Sequence, residues 1–255
     1  MDLVSRQIQR LRVLTYNIHK GVCFYTRRQV LSKIKSLIRE LDTDLVFLQE
    51  IRGKGLLGLR DLDKADDFES QLEYLADSVW NHYAYGQNAV YQNGNHGNAV
   101  LSQFPIQQWS NVDISTNPFE KRGLLHASVD HPVLGELHLV CLHLNLLSGG
   151  RKAQLNQLVA KISREVANGP LIIAGDFNDW LQGASRQISE PLNVREAFHT
   201  LKGSFARSFP SLRPLLCLDR VYYRDLIPTE AEVLYGSPWS HLSDHAALVV
   251  DFEIR

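Results

Sequence analysis

Three cysteines in 255 residues are too few, and too odd a number, for a disulfide framework. Cys23, Cys141 and Cys217 stand far apart and no Cys-x-x-Cys pair occurs, which argues against a zinc ribbon and fits a reducing compartment. No run approaches the ~18 apolar residues of a membrane span. The opening stretch, "MDLVSRQIQRLRVLTYN", scatters charges where a signal peptide would carry an apolar core. A charge excess of either sign is missing too: 27 Lys and Arg against 28 Asp and Glu leave a net charge of −1 with histidine neutral. A protein that grips nucleic acid along many phosphates usually shows a basic surplus, so any phosphate contact must come from a local cluster. No internal repeat, low-complexity tract or linker interrupts the chain. The expectation is a soluble, cytoplasmic protein, with peripheral attachment at a membrane surface left open.

What is present is ordinary for a globular chain: 44% hydrophobic and 22% charged residues, enough for a sizeable core. The simplest division is an N-terminal arm over 1–10 and a single domain over 11–255. "LRVLTYNI" (11–18) and "DLVFLQEI" (44–51) read as buried strands. Between them, "RRQVLSKIKSLIRELD" (27–42) places Val30, Ile34, Leu37, Ile38 and Leu41 at helical spacing. A second amphipathic helix is expected over 66–80. The texture then turns β-rich: "YAYGQNAVY", "GNAVLSQF", "IQQWSNVDI", "LLHASVDH" and "ELHLVCLHLNL" alternate with Asn, Gly and Pro turns. A helix over 151–168 closes at Gly169-Pro170. "LIIAGDF", "LDRVYY" and "HAALVVDFEI" are the last strands. The pieces suit two β-sheets packed face to face with helices outside.

Polar residues collect at the strand ends. Asn17 ends "VLTYN", Glu50 ends "LVFLQE", and His143 ends "LVCLH"; Asp176 and Asn178 follow "LIIAG", Asp219 opens "LDRVYY", and Asp244 with His245 opens the final strand. One such residue is usually the start of a loop. Several of metal-ligand and acid–base type, converging where strand ends lie side by side, point to a shared rim. Hard oxygen ligands (Glu50, Asp244, Asn17) suit Mg²⁺, Mn²⁺ or Ca²⁺ better than zinc. His143 and His245 can move protons near neutral pH, and Asp176 beside Asn178 can hold a water. That is equipment for metal-assisted hydrolysis of a phosphate ester.

"YNIHKG", "LVFLQE", "HGNAVLSQFPI", "LVCLHLN", "LIIAGDFND", "LDRVYY" and "HLSDHAAL" occur in this order, and together they resemble the endonuclease/exonuclease/phosphatase superfamily, the DNase I-like fold. The resemblance runs from about residue 11 to 253 and is strongest toward small bacterial members and sphingomyelinase-like ones. It implies an α/β four-layer sandwich of two mixed, mostly antiparallel β-sheets flanked by helices. It implies Glu50 as principal metal carboxylate, with Asn17 beside the metal-bound phosphate and Asp244 near the metal, the cation being Mg²⁺ or Mn²⁺. Asp176 would orient or deprotonate the water, and Asn178 would fix a phosphate oxygen or Asp176 itself. His245 would contact phosphate while Asp219 holds it, and His143 matches a second histidine. Members differ over whether the Asp or a His is the base, so neither is assigned. Arg122 and Arg151 are candidate phosphate clamps, because a guanidinium binds phosphate bidentately. Asn98 is a candidate for lining the site. His19 departs from the abasic-site nuclease branch, which has a carboxylate there, and this argues against DNA repair.

Three other features carry less. "GKGLLG" (53–58) satisfies GxGxxG, but the charged stretch after it is not a helix opening on those glycines, so a flexible loop beside Glu50 is the better reading. In "HLVCLH", Cys141 reads as a core thiol rather than a zinc ligand. "ARSFPSLRPLLCLDR" interleaves Arg207, Arg213 and Arg220 with Phe205 and Phe209. It reads as a nucleic-acid groove, an anionic-headgroup loop or plain surface, and the neutral net charge weakens the first. The leading expectation is a Mg²⁺-dependent phosphodiesterase. Its alternatives are a nuclease acting on DNA or RNA, a sphingomyelinase-like headgroup diesterase, and a binding module that kept the fold and lost the chemistry. No obligate protein partner is evident.

Overall fold

The computed structural model describes residues 10–53, 70–77, 79–91 and 94–254. The arm expected over 1–10, the start of the helix expected over 66–80 and positions 54–58 of the glycine-rich loop lie outside these residues, apart from Arg10, which already belongs to the first strand. Among the described residues no helix is long and apolar enough to cross a membrane.

The first half of the chain runs β1 (Arg10–Asn17), α1 (Leu31–Glu40), β2 (Leu45–Arg52), α2 (Gln71–Ala76), β3 (His82–Tyr91) and β4 (Gly94–Ser102). The second runs β5 (Ile106–Asp113), β6 (Gly123–His131), β7 (Gly135–His143), α3 (Ser148–Glu165), β8 (Leu171–Asp176), α4 (Ala184–Leu192), β9 (Arg195–Glu196), α5 (Ala197–Lys202) and β10 (Asp219–Arg224). Strands β11 (Ile227–Leu234) and β12 (Ala247–Glu253) return to the first sheet. The sheet orders are β11-β12-β1-β2-β4-β3 and β5-β6-β7-β8-β10-β9. Each sheet has one parallel pair, β1 with β2 and β7 with β8, and is otherwise antiparallel. A parallel pair needs a long crossover, which α1 and α3 supply. β7 and β8 are buried on both faces, hence their unbroken apolar runs.

The two sheets face each other across one core that includes Leu11, Val13, Phe47, Val100, Leu139, Ile172, Val221 and Val250. Helices α1 and α2 cover the outer face of the first sheet through Ile34, Ile38, Leu72 and Leu75. Helices α3 and α4 cover the second through Leu155, Leu158, Ile162 and Ile188. This is the four-layer sandwich the resemblance implies.

Some boundaries differ from the sequence reading, for local reasons. α1 starts at Leu31 because Arg27 sits at φ 58° and Val22 pairs with Gln29, which keeps 27–30 in a loop. α2 begins on Ser70, whose Oγ accepts the Glu73 N–H, and stops at Asp77 rather than running to Trp80. α3 starts three residues early, at Ser148, and ends at Glu165 where Val166 leaves helical geometry. α4, α5, β9 and β11 are not anticipated. Pro191 masks the Ala184, Ile188, Leu192 stripe of α4, and β11 is a polar edge strand with Pro228, Glu230 and Glu232.

Far from the strand-end rim, His126 lies on the outer face of the second sheet, 3.2 Å from His138. Burial, then the charges of His138 and Lys161, push His126 down to about 4. An unfolded histidine titrates near about 6.5. Unfolding therefore takes up a proton between those values, so stability is lost as pH falls from about 6.5 toward 4. Urea midpoints at pH 7, 5.5 and 4 should show a shallower decline for His126→Gln than for the wild type. Parallel declines would contradict this assignment.

Candidate active site

Register brings the polar strand ends to one edge. Asp219 pairs with Asp176 across β10 and β8, and His143 pairs with Asp176 across β7 and β8. In the other sheet Asn17 pairs with Gln49, and the end of β1 lies beside the start of β12. The two edges meet where the Asn17 Nδ2 donates to Asp176 Oδ2 at 3.2 Å. One sheet thus delivers Asn17, Glu50, Asp244 and His245, and the other delivers His143, Asp176, Asn178 and Asp219.

Asp176 is the hub. Its Oδ1 accepts the Asn178 backbone N–H at 2.9 Å. Its Oδ2 lies 3.2 Å from Asn17 Nδ2, 3.4 Å from His143 Nε2 and 3.6 Å from His245 Nε2. His245 is held from behind, with Nδ1 2.9 Å from Asp219 Oδ2. The Ser208 hydroxyl donates to that same Asp219 oxygen at 2.5 Å. Phe209 packs against the His245 ring, centroids 5.1 Å apart. An Asp219–His245–Asp176 chain results, 1% exposed at each carboxylate.

Burial divides the two histidines. Burial opposes a charge on His245, but Asp219, Asp176 and Asp244 together outweigh it and push His245 up. His143 is pushed well down, first by burial and then by the positive charge of Arg122 and by His245. Burial, partly offset by His245, also pushes Asp176 up, which makes it a better proton acceptor. One histidine is thus suited to stay cationic and one to stay neutral, a division that marks acid–base sites.

Beside this chain lies a group of oxygen ligands. A bulge between Leu48 and Ile51 and a left-handed backbone (φ 57°) re-aim Glu50 out of the strand pattern. Its Oε2 is buried with no hydrogen-bond partner. His19 Nδ1 and Lys20 Nζ each lie 3.9 Å from it. Asp244 Oδ1 stands 3.5 Å from His19 Nδ1. Asn17 Oδ1 accepts the His19 N–H at 3.1 Å, and Ser243 Oγ donates to the Asn17 carbonyl at 2.7 Å. His19, Lys20 and Asn178 also have positive φ, so backbone strain concentrates at this rim.

Ligand atoms of Asp176, Asp219 and His245 lie within 4.8 Å of one another, close enough for a metal. However, Asp219 and His245 already bond each other there. Two carboxylate oxygens of the rim are buried without a hydrogen-bond partner, Asp219 Oδ1 and Glu50 Oε2. Asp219 is committed to His245 through its other oxygen, whereas Glu50 stands with Asp244 and Asn17 around His19, an all-oxygen set that fits a hard divalent cation.

The remaining candidates divide. Asn98 is buried and ties the sheets together, donating to the Gly123 carbonyl at 3.0 Å and the Cys141 carbonyl at 3.4 Å; its Oδ1 has no hydrogen-bond partner. Arg122 is 3.4 Å from Glu120, and its buried Nε is unpartnered. Arg151 is a correction. Its guanidinium is buried, donates to the Asn145 and Leu146 carbonyls, and lies over the Trp180 ring at 4.7 Å. These contacts make it a brace for the loops after β7 and β8, not a clamp open to phosphate. Asn178 also has a structural duty, its Nδ2 donating to the Leu144 carbonyl at 2.9 Å. Arg220 in the Arg–Phe stretch is fully buried against the Cys217 and Asp219 carbonyls. Cys141 is a core thiol, pushed up to about 12 by burial. Sequence reasoning missed Lys20, Ser208 and Ser243. Lys20 and Ser243 sit inside the quoted "YNIHKG" and "HLSDHAAL"; Ser208 is 11 residues from Asp219 and carries no local signal.

The sequence pattern that defines the Endonuclease/Exonuclease/phosphatase family matches residues 14–245. YbhP, a protein of Escherichia coli K12, is similar at 39% identity over 244 residues, covering 95% of this chain and 96% of that one. Among solved structures, an endonuclease/exonuclease/phosphatase from Beutenbergia cavernae DSM 12333 superposes with a TM-score of 0.74 at 22% identity, covering 96% of this chain and 72% of that one. TDP2 from Caenorhabditis elegans superposes with a TM-score of 0.70 at 18% identity, covering 96% of this chain and 75% of that one. These superpositions show the DNase I-like fold. The family pattern takes in every residue of the rim from Asn17 to His245, and the chain belongs to the endonuclease/exonuclease/phosphatase family.

Proposed function

We propose that the protein is a divalent-metal-dependent phosphodiesterase. The observation that carries this is the convergence of Asn17, His143 and His245 on one oxygen of Asp176, beside a buried Glu50 oxygen with no partner. Glu50, Asp244 and Asn17 would hold the cation, Mg²⁺ or Mn²⁺, which when bound supplies positive charge to the phosphoryl oxygens.

This chain's own residues supply the rest. Asp176, raised by burial and anchored by the Asn178 N–H, orients a water and accepts its proton as the water attacks phosphorus in line. His245, kept cationic by Asp219, faces charge developing on a phosphoryl oxygen. Arg122, with a free buried Nε, offers a second cationic contact.

The test is turnover of bis(p-nitrophenyl) phosphate and p-nitrophenyl phosphate with Mg²⁺, with Mn²⁺ and in excess chelator. Diester hydrolysis that persists in chelator would refute the metal dependence. Glu50→Gln should weaken Mn²⁺ binding by roughly 10- to 100-fold or more in calorimetry, because it removes the charge behind a buried carboxylate oxygen that has no hydrogen-bond partner. Unchanged affinity would move the cation site elsewhere. If the wild type binds no Mn²⁺ and turns over nothing, the reading gives way to a binding module of the same fold.

A further inference from the structure

The connections leading out of the active-site rim share a feature that catalysis does not use: each ends in a large apolar side chain with no core to enter. The segment after β1 exposes Phe24 and Tyr25, the β5–β6 connection Phe119, the β7–α3 connection Leu147, the β8–α4 connection Leu181, and the segment before β10 Leu215. Phe119 is 93% exposed, Leu147 71% and Leu181 70%, values that no folded-state packing explains. These connections leave the strand ends that carry Asn17, His143 and Asp176, so their tips surround the site. Apolar tips ringing one face of a soluble protein mark an interaction surface.

Charge is polarised the same way. Residues 18–30, 144–152, 203–218 and 235–243 contain no Asp or Glu. Two of them expose Arg27, Arg28, Arg207 and Arg213. Exposed acids sit at the opposite ends of the strands, as at Asp42, Asp130, Glu136 and Asp225. Residues 54–69, which follow β2, hold five acids against three bases and lie outside the described residues. Among the described residues, the connections that expose Arg27, Arg28, Arg207 and Arg213 turn a basic, apolar-tipped face outward around the phosphate site.

We propose that this rim docks the protein on an anionic lipid bilayer, and that the phosphodiester it hydrolyses is that of a phospholipid headgroup; the proposal rests on the phosphodiesterase reading above. Basic residues draw the rim to anionic lipid while the apolar tips enter the headgroup and acyl boundary. The aromatic tips Phe24, Tyr25 and Phe119 suit either partner, so the leucine tips carry the distinction from nucleic acid. Single-stranded nucleic acid is held by aromatic stacking on a basic groove, and leucine has no ring to stack. Leu147, Leu181 and Leu215 at three separate tips offer nothing to a base and suit hydrocarbon.

The test is co-sedimentation of the full chain with phosphatidylglycerol vesicles and with phosphatidylcholine vesicles, alongside headgroup release and turnover of soluble bis(p-nitrophenyl) phosphate. The wild type should pellet at least tenfold better with phosphatidylglycerol and release headgroup in the presence of Mn²⁺. A Phe119→Asp, Leu147→Asp, Leu181→Asp variant changes only exposed side chains. It should lose at least tenfold in vesicle binding while its soluble-diester turnover stays within twofold of wild type. Asp176→Asn should bind vesicles like wild type and release nothing. Soluble turnover without vesicle binding, or vesicle binding that the triple variant retains, overturns the docking surface and leaves the phosphodiesterase reading standing. Vesicle binding without headgroup release, in an enzyme active on the soluble diester, overturns the lipid substrate. Binding of wild type to a single-stranded oligonucleotide in preference to vesicles overturns the proposal in favour of nucleic acid. Failure of soluble turnover with vesicle binding intact overturns the catalytic reading and, with it, the lipid substrate.

Discussion

Asp176→Asn should lower turnover of a soluble phosphodiester by roughly 10²- to 10⁴-fold while the protein remains folded, the range expected for loss of a general acid–base group. The substitution keeps shape and removes charge. Asp176 Oδ1 receives the Asn178 N–H, and Oδ2 faces Asn17 Nδ2, His143 Nε2 and His245 Nε2. An amide NH₂ placed on either side meets a donor, so neither orientation of the asparagine satisfies the pocket. The water loses its proton acceptor, and His245 loses one of the charges that keep it cationic. The mismatch should cost about 1–3 kcal/mol of stability, too little to unfold a domain of ordinary stability. Turnover, circular dichroism and a urea melt measured on one preparation decide the matter. A kcat within threefold of wild type would remove Asp176 from the chemistry. A collapsed melt would move the loss from chemistry to folding, and Asp176→Glu, which keeps the charge and shifts its position, would then separate the two.

The second large effect is on the frame that carries that carboxylate. Gly175→Ala should destabilise the fold by about 3 kcal/mol or more, combining a strained backbone with backbone overlap. Gly175 sits at φ 145°, and an added Cβ would lie 2.0 Å from the Leu142 carbonyl oxygen. Leu142 is its partner in the parallel β7–β8 pair, one step before the His143–Asp176 pair. The overlap therefore falls on backbone that cannot yield without shifting the two site residues. A lowered urea midpoint with an unchanged m-value would report the lost stability, and turnover should fall with it. A midpoint change worth under about 1 kcal/mol would mean that the two strands can separate locally, contrary to the closeness of this register.

Much of this architecture could be read without coordinates, for a definable reason. Strands buried on both faces, such as β7 and β8, must be apolar throughout, so "LHLVCL" and "LIIAG" stand out from any other element. A polar residue that ends such a run must sit at an edge, which is why Asn17, His143 and Asp176 could be located. What could not be read are elements whose apolar signal is diluted. Among the described residues β11 pairs with β12 alone, and it carries Glu230, Glu232 and Pro228. α4 carries Pro191 inside its last turn.

The same division applies within the site. Residue types and their order along the chain determined the fold class, the family resemblance and the set of acids, amides and histidines at strand ends, because each follows from local pattern. Only the tertiary structure decided which of them meet. It joined Asp176 of one sheet to Asn17 and His245 of the other, set Ser208 and Asp219 behind His245, and left Glu50 Oε2 without a partner. It also turned Arg151 away from the role its chemistry suggested, toward two carbonyls and Trp180. Pairing, burial and orientation depend on residues far apart in the chain brought within a few ångströms by sheet register, and no local stretch of sequence encodes that distance.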